Sequence, residues 1–317
     1  MIHRAKQWLL EARPVETSSV FFILIFFSLT LLFSHAIPSS RLLLVRYVGL
    51  LLLIALARWA AESIPKRGWL LLRDFLPALL IFEVYDGLGD MLHLINPHDA
   101  DPALMRIERF LLGTDPTLWL ERLVNPPLND LMHLAYFSFY FLPFLLGIVL
   151  WVKGKREAFN RLVLGVTGAF YLAFIGYVLV PAAGPRYAMA QFYRIPLEGS
   201  FITDLVRGFV ASAENLRWDC FPSGHAAVTL VVLWYALREE PIVFFPILPV
   251  GVLLLVSTVY CRYHYVVDLI AGAAVAALSI LSADWLEHLS LRYRERNGLR
   301  SPGICPRPMP ISIRERE

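Results

Sequence analysis

Runs of apolar residues divide the 317-residue chain into eight segments, near residues 19–37, 42–61, 70–88, 129–152, 161–181, 223–238, 242–260 and 264–285. A helix needs about 20 apolar residues to cross a hydrocarbon core about 30 Å thick, so the pattern predicts about eight spans in an all-α, polytopic transmembrane bundle. The second segment is weakened by Arg46 and Arg58, and the sixth is short. The last two stay separate because "CRYHY" divides them and their joint length is about twice one crossing. The basic start of the chain and Ala36 imitate a secretory leader, but the run from Val20 to Ile37 is long enough to span and reads as a retained helix.

Two connections carry a different periodicity. Leu104, Ile107, Phe110 and Leu111 recur at helical spacing within residues 89–128, and Phe201, Ile202, Leu205, Val206 and Phe209 do so within residues 182–222. Both predict amphipathic helices in the membrane interface, either packed on the bundle or admitting a lipid. The expected organisation is N-terminal spans with an interfacial helix over 1–128, a catalytic helical core over 129–288, and a mobile Arg- and Pro-rich cytoplasmic tail over 289–317.

Composition agrees with a membrane protein, with 57% hydrophobic and 17% charged residues and a mean hydropathy of +0.58. The basic residues form no stripe suited to nucleic acid, so no nucleic-acid partner is expected. If each segment crosses once, Lys6, Lys66, Arg67, Lys153, Lys155, Arg156, Arg238 and the tail from Arg292 share one side. That bias places both termini in the cytoplasm, and the opposite face towards a periplasm, lumen or exterior. Cys220, Cys261 and Cys305 show no zinc-ligand spacing, so neither a metal nor another cofactor is expected.

Four segment boundaries open on that opposite side, and their polar residues can converge. His264 and Asp268 are four apart at the head of the last segment, where a carboxylate can fix the imidazole tautomer and leave one nitrogen lone pair free for nucleophilic attack. In "PSGH", Pro222 suits a first helical turn, and the amides of Ser223, Gly224 and His225 form an anion site to which the Ser223 hydroxyl adds a donor. His225 is placed to protonate a leaving oxygen. Arg186 in "GPR" and Arg262 beside His264 are candidate phosphate clamps. Each feature has a structural alternative: a satisfied His–Asp pair, a capped helix start, or arginines snorkelling to head groups.

"PSGH" followed by "HYVVD" resembles the type 2 phosphatidic acid phosphatase superfamily of membrane lipid phosphatases and phosphotransferases. The resemblance implies a six-helix core, metal-free chemistry through a phosphohistidine, His264 as nucleophile, Asp268 as its orienting partner, His225 as general acid, and Ser223 with Gly224 as phosphate ligands. Three positions in two motifs depart from the superfamily: Val180 and Tyr187 stand where its first motif has Lys and Pro, and Thr258 follows Ser257 where its third has Arg. "GPRY", "DCFPSGHAA", "RYHYVVDLIAG" and the run "YDGLGDMLHLINPHDADPALMRIERFLLGTDPTLWL" are similar to the inositolphosphotransferase branch that contains inositol phosphorylceramide synthases. That branch implies a phospholipid or lipid-linked phosphate substrate, with diacylglycerol or ceramide as a possible acceptor.

Three other readings share these residues. One is a lipid phosphate phosphatase using water. Another is a transporter or flippase with His225, His264, Asp268, Glu83, Asp86 and Asp90 along a polar pathway. The third is a catalytically silent lipid-binding scaffold. Cys220 and Cys261, each a few residues ahead of a histidine, are either disulfide-bonded or two buried thiols.

Overall fold

The computed structural model describes residues 12–64, 67–89, 91–214 and 216–299. Lys6, Lys66, Asp90, Cys305 and the tail beyond 299 lie outside them. Among the described residues the fold is helical, with no named strand. Its long helices follow the eight apolar segments: α1 (Pro14–Leu32), α2 (Ser40–Ser63), α3 (Arg67–Gly89), then α7 (Pro126–Phe137) with α8 (Leu142–Val152), α9 (Arg156–Leu179), α12 (Gly224–Glu239), α13 (Pro241–Tyr260) and α14 (Val266–Arg296). Shorter helices fill the loops: α4 (Leu92–Ile95), α5 (Asp101–Leu112), α6 (Pro116–Leu120), α10 (Pro185–Ala188) and α11 (Thr203–Ala213).

Five of these helices, α1, α2, α9, α13 and α14, are long and apolar enough to cross a membrane, and α7 with α8 makes a sixth if the bent pair is one span. The 43° bend falls just ahead of Pro143, which has no N–H to continue the helical ladder. α12 has only 16 residues, and much of its surface, including Ala227, Val228, Val231 and Tyr235, packs inside protein. α3 carries Arg73 and Asp74 within its apolar run, both buried: Arg73 meets Glu16, and Asp74 meets Arg13 and Arg156. Charges inside an apolar bundle persist where they are paired in this way. The expected weakness of the second segment is not seen, since Arg46 pairs with Asp86 and Arg58 with Glu62. α14 continues to Arg296, well into the stretch expected to be a mobile tail.

α9 is the axis of the bundle, with 61% of its most apolar window buried against at most 33% for the other candidate spans. Ile23, Tyr47 and Val84 from α1–α3 pack with its Phe174, while Leu146, Val231 and Leu254 from α8, α12 and α13 pack with its Phe159 and Leu162. At one end, Lys153 and Lys155 meet Glu240, Arg238 meets Asp284, and Arg156 and Arg13 meet Asp74. The loops carrying "GPR", "PSGH" and "CRYHY" gather around one another elsewhere in the fold.

The crossing of α12 and α14 brings two of these loops together. Small residues line it, and a Cβ added to Gly272 would lie 2.5 Å from the Ser223 carbonyl oxygen and 2.9 Å from Ala226 Cβ. Only a glycine permits so close an approach. Gly272→Val is therefore expected to destabilise the protein by about 2–3 kcal/mol through overpacking, read as a lowered thermal midpoint in detergent.

Candidate active site

The two histidines meet. His225 on the first turn of α12 places Nδ1 3.3 Å from Nε2 of His264, with ring centroids 5.4 Å apart. His264 is not on the last helix: it lies in the loop two residues before α14, so its pairing with Asp268 joins a loop to a helix start. His264 Nδ1 is 3.4 Å from Asp268 Oδ2. The same oxygen accepts the Tyr265 N–H at 2.7 Å and the Cys220 thiol at 2.9 Å, which locks the loop onto the helix.

A second carboxylate, which sequence reasoning missed, mirrors the first. Glu214, just past α11, lies 3.2 Å from His225 Nε2 and accepts hydrogen bonds from the hydroxyls of Tyr136 and Tyr140. Burial alone would raise its pKa, but His225 and these hydrogen bonds hold it below the usual carboxylate range. A carboxylate thus stands at the outer nitrogen of each ring, and the two inner nitrogens lie within hydrogen-bond reach of each other. The rings of Tyr136 and Phe139 at 4.6 and 4.3 Å give His225 a π-rich lining.

The predicted phosphate ligands divide. Arg186 reaches the cleft over the rings of Tyr187 and Tyr263, each 5.5 Å away. Gly224 lines the cleft as well, but its amide donates to the Tyr177 hydroxyl. Ser223 is fully buried outside the cleft lining; its hydroxyl caps α12 through the Ala226 N–H, and its own amide donates to the Asp268 carbonyl. Two of the three expected free amides are thus used in holding the start of α12, Ser223 against α14 and Gly224 against α9. Pro222 precedes that cap instead of opening the helix. Arg262, at φ +66°, turns away from the cleft to the Ile195 carbonyl at 2.8 Å and the face of Tyr193 at 3.8 Å.

The cysteines are two buried thiols and not a disulfide, because their loops place them against different partners: Cys220 on Asp268, and Cys261 beside His133. Cys220, His264 and Asp268 also bring donor atoms within 4.8 Å of one another, a set that could hold a metal ion. Burial and Asp268 push the Cys220 thiol well up, which favours the protonated form that donates to Asp268 over the thiolate a metal requires. The acidic residues of the proposed transport pathway are engaged elsewhere: Glu83 and Asp86 pair with Arg46 and do not line the cleft.

α5 holds the loop ahead of Arg186 and the start of α14 in place. Of the expected apolar stripe, Ile107, Phe110 and Leu111 point outward and are exposed while Leu104 is buried, and the helix's acidic edge faces the site. Asp101 accepts the amides of Ala183 and Gly184 ahead of Arg186, and the hydroxyl of Tyr265. Seven residues on, Glu108 accepts the Val266 N–H at the start of α14. That two-turn spacing of acids was the available signal for them. The second interfacial helix, α11, exposes Phe201 and Leu205 at its entry and buries Val206 and Val210. Asp219, another residue not anticipated, lines the cleft and accepts the Tyr85 hydroxyl; burial raises its carboxyl to about 6.

From this site a cleft runs between α3 and α8 along α9. Its walls are mostly aromatic and aliphatic, and its polar groups gather at the histidines.

Comparison with known proteins gives the same assignment as the motifs. The PAP2 superfamily profile matches residues 102–282. A PA-phosphatase related-family protein of Dictyostelium discoideum is 28% identical over 115 residues, covering 35% of this chain and 21% of that protein's length. A phosphoinositol dihydroceramide synthase of Bacteroides thetaiotaomicron is 25% identical over 242 residues, 66% of this chain and 76% of the relative. No solved structure matches.

Glu108 gives a test of α5. Burial raises its carboxyl from 4.5 to about 7. The folded state then holds a proton that the unfolded chain releases near pH 4.5. Stability should therefore fall as pH rises towards about 7 and level off above it. Glu108→Gln keeps the acceptor for Val266 and removes the titration. Its thermal midpoint should stay flatter across that range, with a gain over the wild type of at most about 3 kcal/mol at the alkaline end.

Proposed function

The chain belongs to the PAP2 superfamily and is an integral membrane protein of lipid phosphatase or phosphotransferase type; from that premise we propose that it transfers a phospholipid head group through a phosphohistidine, without a metal or other cofactor. The observation that carries this reading is the charge of the site. Among the described residues lining the cleft, Arg186 is the sole arginine or lysine, and Glu214 and Asp219 stand close to the histidines. A phosphate monoester brings about −1.5 to −2 charges at neutral pH, and this lining opposes it. A phosphodiester brings a single negative charge, matched by the one guanidinium of the lining, Arg186. Carboxylates also accept hydroxyl hydrogens, as a polyol head group such as inositol would offer. The name of the Bacteroides relative, phosphoinositol dihydroceramide synthase, agrees with an inositol phosphate passed to a ceramide-like alcohol.

In the proposed cycle the His264 Nε2 lone pair attacks phosphorus and the bond to the lipid oxygen breaks. That oxygen takes the proton from His225 Nδ1 and leaves as a lipid alcohol such as diacylglycerol. Asp268 stabilises the Nδ1–H of the phosphorylated imidazole, and Arg186 balances the equatorial oxygens. The acceptor hydroxyl then gives its proton to His225, its oxygen attacks phosphorus, and the N–P bond returns its electron pair to Nε2. Ser223, Arg262 and Glu214 act by position: Ser223 caps α12, Arg262 holds the His264 loop, and Glu214 fixes the tautomer of His225. The termini face the cytoplasm in this reading, with the site on the opposite side.

Purified protein in detergent, given phosphatidylinositol with ceramide, is expected to form a new inositol phospholipid and to do so in the presence of chelator. Release of phosphate or inositol phosphate without any such product would favour a hydrolase. No chemistry on any phospholipid would favour the transporter, since detergent abolishes compartments. Labelled donor should leave a phosphoenzyme in the wild type and none in His264→Ala; survival of the label in that variant would refute the nucleophile. Arg186→Ala should lower kcat/KM by about 100-fold or more, roughly 3 kcal/mol, with the fold intact by thermal midpoint.

A further inference from the structure

We propose that the cleft between α3 and α8 seats one hydrocarbon chain of the substrate lipid, and that its floor at Phe75, Gly147 and Phe159 gauges the length of that chain. The inference rests on the functional reading above. The cleft is continuous with the reacting groups: Tyr177, His225 and His264 line its head, and Val166, Phe170 and Phe144 line its shaft. α3 and α8 stand on opposite sides of it, both packed on α9. Its lips face outward from the bundle, where Phe82 of α3 is 50% exposed and Phe144 of α8 is 38% exposed although both line the cavity. In a bilayer those lips meet acyl chains, so a lipid can slide in from the side without its chain crossing water.

The depth of the cleft is the unusual feature. Along α9 its lining runs from Tyr177 to Phe159, which at 1.5 Å per residue is about 27 Å. A single leaflet supplies about half of a 30 Å hydrocarbon core. The cleft therefore continues past the midplane, and a chain hanging from a head group at the histidines has a protein wall for nearly the whole membrane thickness. The floor is well defined. Phe75 and Phe159 lie with ring centroids 5.4 Å apart, and beneath them Asp74 is bonded to Arg13, Arg156 and the indole of Trp151. A methyl terminus cannot replace that ionic plug without stripping its partners.

Gly147 sits against this floor. A Cβ there would meet Phe159 Cε2 at 3.8 Å and Leu162 Cδ2 and Phe75 Cε1 at 4.0 Å, which are ordinary contacts. Gly147→Ala should fold normally, and a leucine would fill the lowest part of the cleft.

The test compares the wild type, Gly147→Ala, Gly147→Leu and, as a lipid-facing control, Gly49→Leu, where an added Cβ meets nothing within 4 Å. Thermal midpoints are measured with a graded series of alkyl phosphates from octyl to eicosyl, and turnover with donor and acceptor lipids of matched short and long chains. In the wild type and the Gly49 variant, stabilisation should keep rising to the long members. In Gly147→Leu it should level off several carbons earlier, and the long-to-short turnover ratio should fall about tenfold, with Gly147→Ala intermediate. An identical chain profile in all four proteins would overturn the gauge while leaving the phosphotransferase intact. Absence of turnover on every lipid would sink the functional reading instead, and the alkyl phosphate series would still decide the cleft.

Discussion

The contact between His225 Nδ1 and His264 Nε2 organises the site. The two nitrogens face each other at 3.3 Å, a separation that two lone pairs would oppose, and each ring is claimed on its far side by a carboxylate. Asp268 and Glu214 thereby hold the two rings from their far sides. In the proposed cycle these two acids let chemically identical side chains take opposite roles, one attacking and the other protonating.

Holding that contact in a lipid environment requires rigid support, and the chain supplies it from three directions. Gly272 lets α14 close on the start of α12. The Asp268 carboxylate gathers Cys220, His264 and the Tyr265 amide at one oxygen. α5 reaches across the loops, with Asp101 on the segment carrying Arg186 and Glu108 on the first turn of α14. Its outer face exposes Phe110 and Leu111, so the helix that steadies the site also offers an apolar surface to the membrane interface. Where bound water is scarce, backbone donors must find protein acceptors, and acids on α5 meet that demand.

The cleft joins this polar head to the hydrocarbon. Its aromatic shaft and salt-bridged floor separate two requirements that conflict in one volume, a charged site for phosphoryl chemistry and an apolar path for a lipid. α9 makes both possible, since it packs against each half of the bundle and forms the back wall between α3 and α8.

The sequence by itself determined the helical class and the positions of the long helices, and it singled out His225, His264, Asp268 and Arg186 as candidates, because hydropathy and short motifs are local properties read within one or two helical turns. It also carried the seven-residue spacing of Asp101 and Glu108, hidden behind the stronger apolar stripe of the same helix. Only the tertiary structure decided that Glu214 orients His225, that Ser223 caps a helix, that Arg262 turns away, and that Cys220 and Cys261 remain thiols. The last two depend on partners far apart in the chain, 67 residues for Arg262 and Ile195 and 128 for Cys261 and His133. Such pairs carry no periodicity; they are selected when helices cross at a given angle and every buried polar group must find an acceptor or a donor.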